Sequence, residues 1–235
     1  MACAALAACA VTIATQSGVE GESRDKELQA TEFQLVDDGD LPTRPPTLGS
    51  GTDPLTADET GYAIAQATQH LTRQGTARNV RGQAAPEHLY TTLADGDGRR
   101  TARVVLYNYA TDQAHHIDVD LATGRVVNER AADSLQPPPS LDEADAAAEI
   151  AVGHNPPLDF ADVFEASEGV PLLAAKQVSY RARVWTYDGT TRHGRECGRQ
   201  RCVQLIITTA AGTFLPTQNF VVNLSASSVV HLEQP

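Results

Sequence analysis

The sequence predicts an α+β fold made of two tandem α-β-β-β-β units, each a helix packed on a bent antiparallel sheet. Three observations predict it. A capping-box pattern opens an amphipathic helix twice, with Thr56 followed by Glu59 and with Ser140 followed by Glu143. Each helix is followed by four strand-like runs bounded by turn residues. The two halves also align at their ends. "IDVDLATGRVVNE" lies against "FVVNLSASSVVHLE", pairing Ile117 with Phe220, Val119 with Val222, Leu121 with Leu224, and Val126 and Val127 with Val229 and Val230.

Residues 1–17 form a truncated signal or lipoprotein segment. "MACAALAACAVTIATQ" is uncharged and apolar from Ala2 to Thr15, shorter than the roughly 20 residues a helix needs to cross a bilayer. It suits the apolar region of a secretory signal, but no basic region precedes it. Either the true start lies upstream or the segment is not a signal. "LAAC" resembles a bacterial lipobox, which makes Cys9 a candidate lipidation site and a lipid the one route to a membrane. Residues 18–53 are an acidic, flexible linker rich in Glu, Asp, Gly, Thr and Pro. Within it, "EFQLV" (Glu32 to Val36) reads as a short edge strand.

Residues 54–135 make the first domain. Ala63, Ile64, Ala67 and Leu71 mark one apolar helical face. Four strands follow, "EHLYTTLA", "RTARVVLYNYA", "AHHIDVDL" and "RVVNERA", with turns at Asp95–Arg99, Ala110–Gln113 and Ala122–Arg125. "QPPPS" interrupts the chain at Gln136. Residues 136–235 make the second domain, with "LDEADAAAEIAV" as helix and strands in "KQVSYRARVWTYDG", "CVQLIITTA", "FLPTQNFVVNL" and "SVVHLE". It is longer than the first through Pro156 to Ala175 and through a cysteine hairpin.

Composition excludes some functions. The 235-residue chain carries a formal net charge of -12, which repels phosphate backbones and argues against nucleic-acid binding. Aromatic content of 5% gives no stacking platform for carbohydrate, and Trp185 is assigned to the second core. No G-x-S-x-G motif, phosphate loop or spacing-enforced carboxylate pair occurs, so neither an enzyme nor a cofactor is expected. Cys197 and Cys202 close "CGRQRC". Four intervening residues and a following strand favour a hairpin disulfide over a C-x-x-C redox pair. A zinc half-site would lack a second cysteine pair.

Three motifs carry candidate chemistry. Asn108-Tyr109 ends a strand on which Val104, Leu106 and Asn108 share one face and Val105, Tyr107 and Tyr109 the other, an ordinary packing pattern. In "HHIDVD", alternation turns His115, Ile117, Val119 and Leu121 inward and His116, Asp118 and Asp120 outward. That outer set is a weaker candidate for a divalent cation, and a solvated face is the preferred reading. The hairpin "TTRHGRECGRQRC" places Arg192, His193, Arg195, Arg199 and Arg201 in an acidic chain. These are the candidate partner-binding residues, on a loop that a disulfide would hold rigid.

"DPLTADE" leading a helix, then "ARVVLYNYATDQAHHIDVDLATGRVV", then "QPPPSLDEADAAAEI", resembles the two small N-terminal domains of copper amine oxidases. The resemblance covers roughly Asp53 to Pro235 and is strongest from Arg103 to Ile150. It implies a cystatin-like fold for both units. It does not carry over the enzyme. In that family the cofactor is an oxidised tyrosine within Asn-Tyr-Asp/Glu and copper is held by His-x-His and a distant His. Here Asn108-Tyr109 is followed by Ala110, and no His-x-His occurs. The cystatin inhibitory motif Gln-x-Val-x-Gly is also missing, since Gln177 and Val178 are adjacent. The expected function is a non-catalytic, exported bacterial protein-interaction or structural module, outside the cell or in its envelope, with a protein or an anionic envelope polymer as its partner. Two alternatives stand beside it: an accessory or remnant that docks on a separate amine oxidase chain, and a small-ligand binder in a concave sheet.

Overall fold

Thr56 opens the first helix, α1 (Ala57–Gln74), through both bonds of its capping box. Its Oγ1 accepts from Glu59 N at 3.2 Å, and Glu59 Oε2 accepts from Thr56 N at 2.9 Å. Four antiparallel strands follow in spatial order: β1 (Glu87–Ala94), β2 (Thr101–Asn108), β3 (Gln113–Asp120) and β4 (Arg125–Asp133). Tyr62, Ala63, Ala67 and Leu71 of α1 pack on Ala102, Val104, Leu106, Ile117, Val119 and Leu121. Ile64, expected on that face, sits at its edge, and Tyr62 takes the central place. The computed structural model describes residues 42, 44–94 and 98–232, all within one unit spanning Val36–Pro235. The expected signal segment with Cys9, the expected strand at Glu32–Val36 and most of the expected 18–53 linker lie outside the described residues.

The second repeat restates the plan. Ser140 caps α2 (Leu141–Val152), with Glu143 completing the box at 2.9 and 3.0 Å. The sheet runs β5 (Ser179–Val184), β6 (Cys202–Thr208), β7 (Phe220–Asn223), β8 (Ser228–His231) in spatial order. The paired sequence positions are equivalent in space: Phe220, Val222 and Leu224 face this core as Ile117, Val119 and Leu121 face the first.

An unpredicted helix, α3 (Asp159–Glu168), completes this core. Its N-cap is Leu158, with no side-chain cap, so the sequence carries no start signal there. Its role follows from α2, whose buried apolar side chains are all alanines. Phe160 and Phe164 of α3 supply the volume that alanines lack, and the Phe160 ring stacks on Phe220 at 5.7 Å between centroids.

Each sheet has a second face, and each is covered differently. In the first sheet Val105 and Tyr107 are fully buried on the side away from α1, and Arg201 of the second repeat lies over Tyr107. In the second sheet, Cys202, Val221 and Val230 are covered by Trp185 and Cys197 of the β5–β6 connection. Trp185 is therefore not in the second main core as expected, but in a small cluster on the opposite face. Among the described residues, no helix is long and apolar enough to cross a membrane.

Candidate functional site

Two arginines hold the repeats in the same way. Arg100, just before β2, closes on the α1 capping-box carboxylate: Nη2 donates to Glu59 Oε2 at 2.8 Å and Nε to Glu59 Oε1. Its remaining protons go to the carbonyls of Gly51, Asp53 and Pro54 on the approach to α1. Arg201, just before β6, repeats this on Glu143 at 2.8 Å for both bonds, and reaches the carbonyls of Pro137 and Pro138 on the approach to α2. The same backbone bond follows in each repeat, Leu121 N to Arg100 O and Leu224 N to Arg201 O. The planar guanidinium matches a carboxylate bidentately and still has donors for two carbonyls, which a lysine could not supply. Arg100 holds the Glu59 carboxyl down at about 2. Burial works against the charge on Arg201, and its bonds to Glu143 outweigh it, so its pKa is raised.

This overturns one sequence assignment. Arg201 was expected among the partner-binding residues of the hairpin, but it is fully buried. Its guanidinium lies 5.1 Å from the centroid of Tyr107 in the first sheet. The Tyr109 hydroxyl donates to Glu143 Oε1 at 2.6 Å. Burial, with Glu143 beside it, raises the Tyr109 pKa. Thus Tyr107 and Tyr109, read as ordinary sheet residues, are the first repeat's side of a junction. Ser140 Oγ adds a bond to Glu87 Oε1 at 2.8 Å, Arg81 pairs with Glu149, and Ser225 Oγ donates to Asp112 Oδ1.

The "HHIDVD" face is not solvated, contrary to expectation. Asp118 and Asp120 are buried. Asp118 receives Arg103 at 2.7 and 2.9 Å and Asn128 at 3.0 Å, and these bonds outweigh burial to lower its pKa. Asp120 Oδ1 accepts from Ala122 N and Thr123 N and so builds its own turn. The His116 pKa is lowered by burial and by Arg103, which outweigh the opposing pull of Asp118. His115 points inward as expected but is only half satisfied: Nδ1 contacts Glu129 at 3.2 Å, while Nε2 is buried without a partner. Glu129 also meets His70 at 2.9 Å. Among the described residues, no group of three or more His, Cys, Asp or Glu side chains could hold a metal ion.

The hairpin carries the other four candidates. Cys197 and Cys202 form a disulfide with their Cα atoms 5.4 Å apart. Both ends of the loop are fixed: Trp185 N donates to Cys202 O, and Tyr187 N donates to Cys197 O. Gly194 has φ +90° and lies under Trp185, where a Cβ would approach the indole to 2.9 Å. Arg192, His193, Arg195 and Arg199 are exposed on this support. Arg192, His193 and Arg195 form one wall of an open groove of about 680 Å³. Val229, Val230 and His231 of edge strand β8 form the other wall.

No protein-family model matches the chain, and no curated protein matches it. Among solved structures it is similar to a copper-containing benzylamine oxidase from Hansenula polymorpha, at 12% identity and a TM-score of 0.41. The match covers 78% of this chain and 30% of that one. A likeness this distant is one of fold at most and brings no activity with it.

Proposed function

We propose that the chain is a non-catalytic, exported interaction module that presents the disulfide-closed basic hairpin to an acidic protein or an anionic envelope polymer. The observation that carries this reading is the concentration of exposed Arg192, His193, Arg195 and Arg199 on a braced loop, in a chain of net charge -12. The loop is held by the disulfide and by Trp185 over Gly194, so little conformational entropy is left to lose on binding. Charge complementarity then sets partner choice and encounter rate. Extracellular or envelope location agrees with the disulfide.

The test is a binding titration with two probes, poly-L-glutamate and purified wall teichoic acid, against the wild type and Arg195→Gln/Arg199→Gln. Saturable binding to either probe that weakens at least about tenfold in the variant supports the reading, and should itself weaken with salt. Absence of saturable binding to both probes, or equal binding by a variant with unchanged circular dichroism, overturns it.

A further inference from the structure

Glu87 and Glu143 come from different repeats and meet on one hydroxyl. Ser140 Oγ donates to Glu87 Oε1 at 2.8 Å and accepts from Glu143 N at 3.0 Å. The other Glu87 oxygen accepts from Val80 N at 3.1 Å. Glu87 is 4% exposed and Glu143 is fully buried. The groups facing this contact are unbalanced. From α2 come Glu143 and Asp142, both raising the Glu87 pKa. From the turn after β2 comes Tyr109, whose proton is given to Glu143. Before β6 stands Arg201, with both carboxylate-facing nitrogens on Glu143. Arg81, beside Val80, is engaged by Glu149 farther along α2. Among the described residues, no cation bonds Glu87.

A buried carboxylate without a cation is costly, and taking up a proton removes that cost. We propose that Glu87 is a proton-operated latch between the repeats: protonated, it holds the N-terminus of α2 against β1, and ionised, it loosens that contact. Burial lifts the Glu87 carboxyl to about 7 from an ordinary 4.5. The folded value is raised, so the stabilisation is fully present below about 4.5 and is lost as pH rises through about 7. The closing equilibrium of the junction should therefore fall roughly tenfold between pH 6 and pH 8.5. The interval lies across neutrality, so a modest change of external pH would alter how firmly the repeats are joined.

The experiment uses the full chain and Glu87→Gln. Amide-exchange protection at Val80, Ser140 and Glu143, corrected for the intrinsic pH effect, should drop about tenfold in the wild type over that interval. It should stay level in Glu87→Gln. A level wild type, or an equal drop in the variant, overturns the latch. Should the variant fold poorly, carbon-13 carboxyl shifts of the wild type decide. A Glu87 titration midpoint near 7 supports the latch, and one below about 5.5 overturns it.

Discussion

Arg201→Met is the sharpest probe of the junction. The substitution keeps much of the side-chain volume but removes the bidentate bond to Glu143, the bonds to the Pro137 and Pro138 carbonyls, and the charge over Tyr107. Glu143 keeps the Tyr109 hydroxyl and Ser140 N, but its charge is then buried without a counter-ion. Stranding one member of a buried pair costs about 3–5 kcal/mol. Against a urea m-value of about 2 kcal/mol/M, that lowers the unfolding midpoint by about 2 M. Trp185 fluorescence follows the second repeat and far-ultraviolet circular dichroism follows both, since Trp185 is the chain's single tryptophan. The loss comes from the stranded carboxylate more than from the missing bonds, so Arg201→Met/Glu143→Leu should recover most of it. A single variant within about 1 kcal/mol of the wild type would refute the reasoning. So would a double variant no more stable than the single.

Four further outcomes are expected. Gly124→Ala should destabilise by at least about 1–3 kcal/mol in thermal melts, because Gly124 has φ +69° and a Cβ there would lie 2.1 Å from the Tyr62 hydroxyl. Phe160→Ala should cost about 3–5 kcal/mol in urea unfolding, since the alanine face of α2 cannot fill the space beside Phe220. Removing the disulfide in Cys197→Ser/Cys202→Ser should cost about 2 kcal/mol by loop-closure entropy, measured by denaturation under oxidising conditions. Burial pushes His88 down to about 4. With the folded value depressed, stability should fall as pH drops from about 6.5 to about 4, and His88→Asn should flatten that part of the stability curve.

Where the sequence was legible, a local pattern carried the information. Capping boxes, period-two alternation and turn residues lie within a few neighbours, and the two helices and eight strands follow from them. The repeat register was legible too, because the core positions of the last two strands in each half match in size. Other features needed contacts across the chain. Glu59 meets Arg100 over 41 positions and Glu143 meets Arg201 over 58, so unequal insertions hide the equivalence. An arginine just ahead of "TARVVL" and of "CVQLII" was the available sign. The burial of Asp118 and Tyr107 was hidden for another reason. Alternation shows that a strand has two faces, but not that Arg103 and Asn128 close over Asp118 or that Arg201 of the second repeat lies over Tyr107. The helix α3 was missed because Leu158 offers no cap.

The hairpin between β5 and β6 leaves and re-enters the fold at fixed points. Its ends are joined by the Trp185 N to Cys202 O bond, and Arg201 anchors its return into the second repeat. The disulfide and the Trp185 to Cys202 backbone bond fix where the loop begins and ends, and loop-closure entropy grows only slowly with added length. Residues 188–191, ahead of the Gly194 that Trp185 covers, are thus a natural grafting position. Foreign peptides of different lengths could be displayed there while the two-repeat scaffold keeps its register.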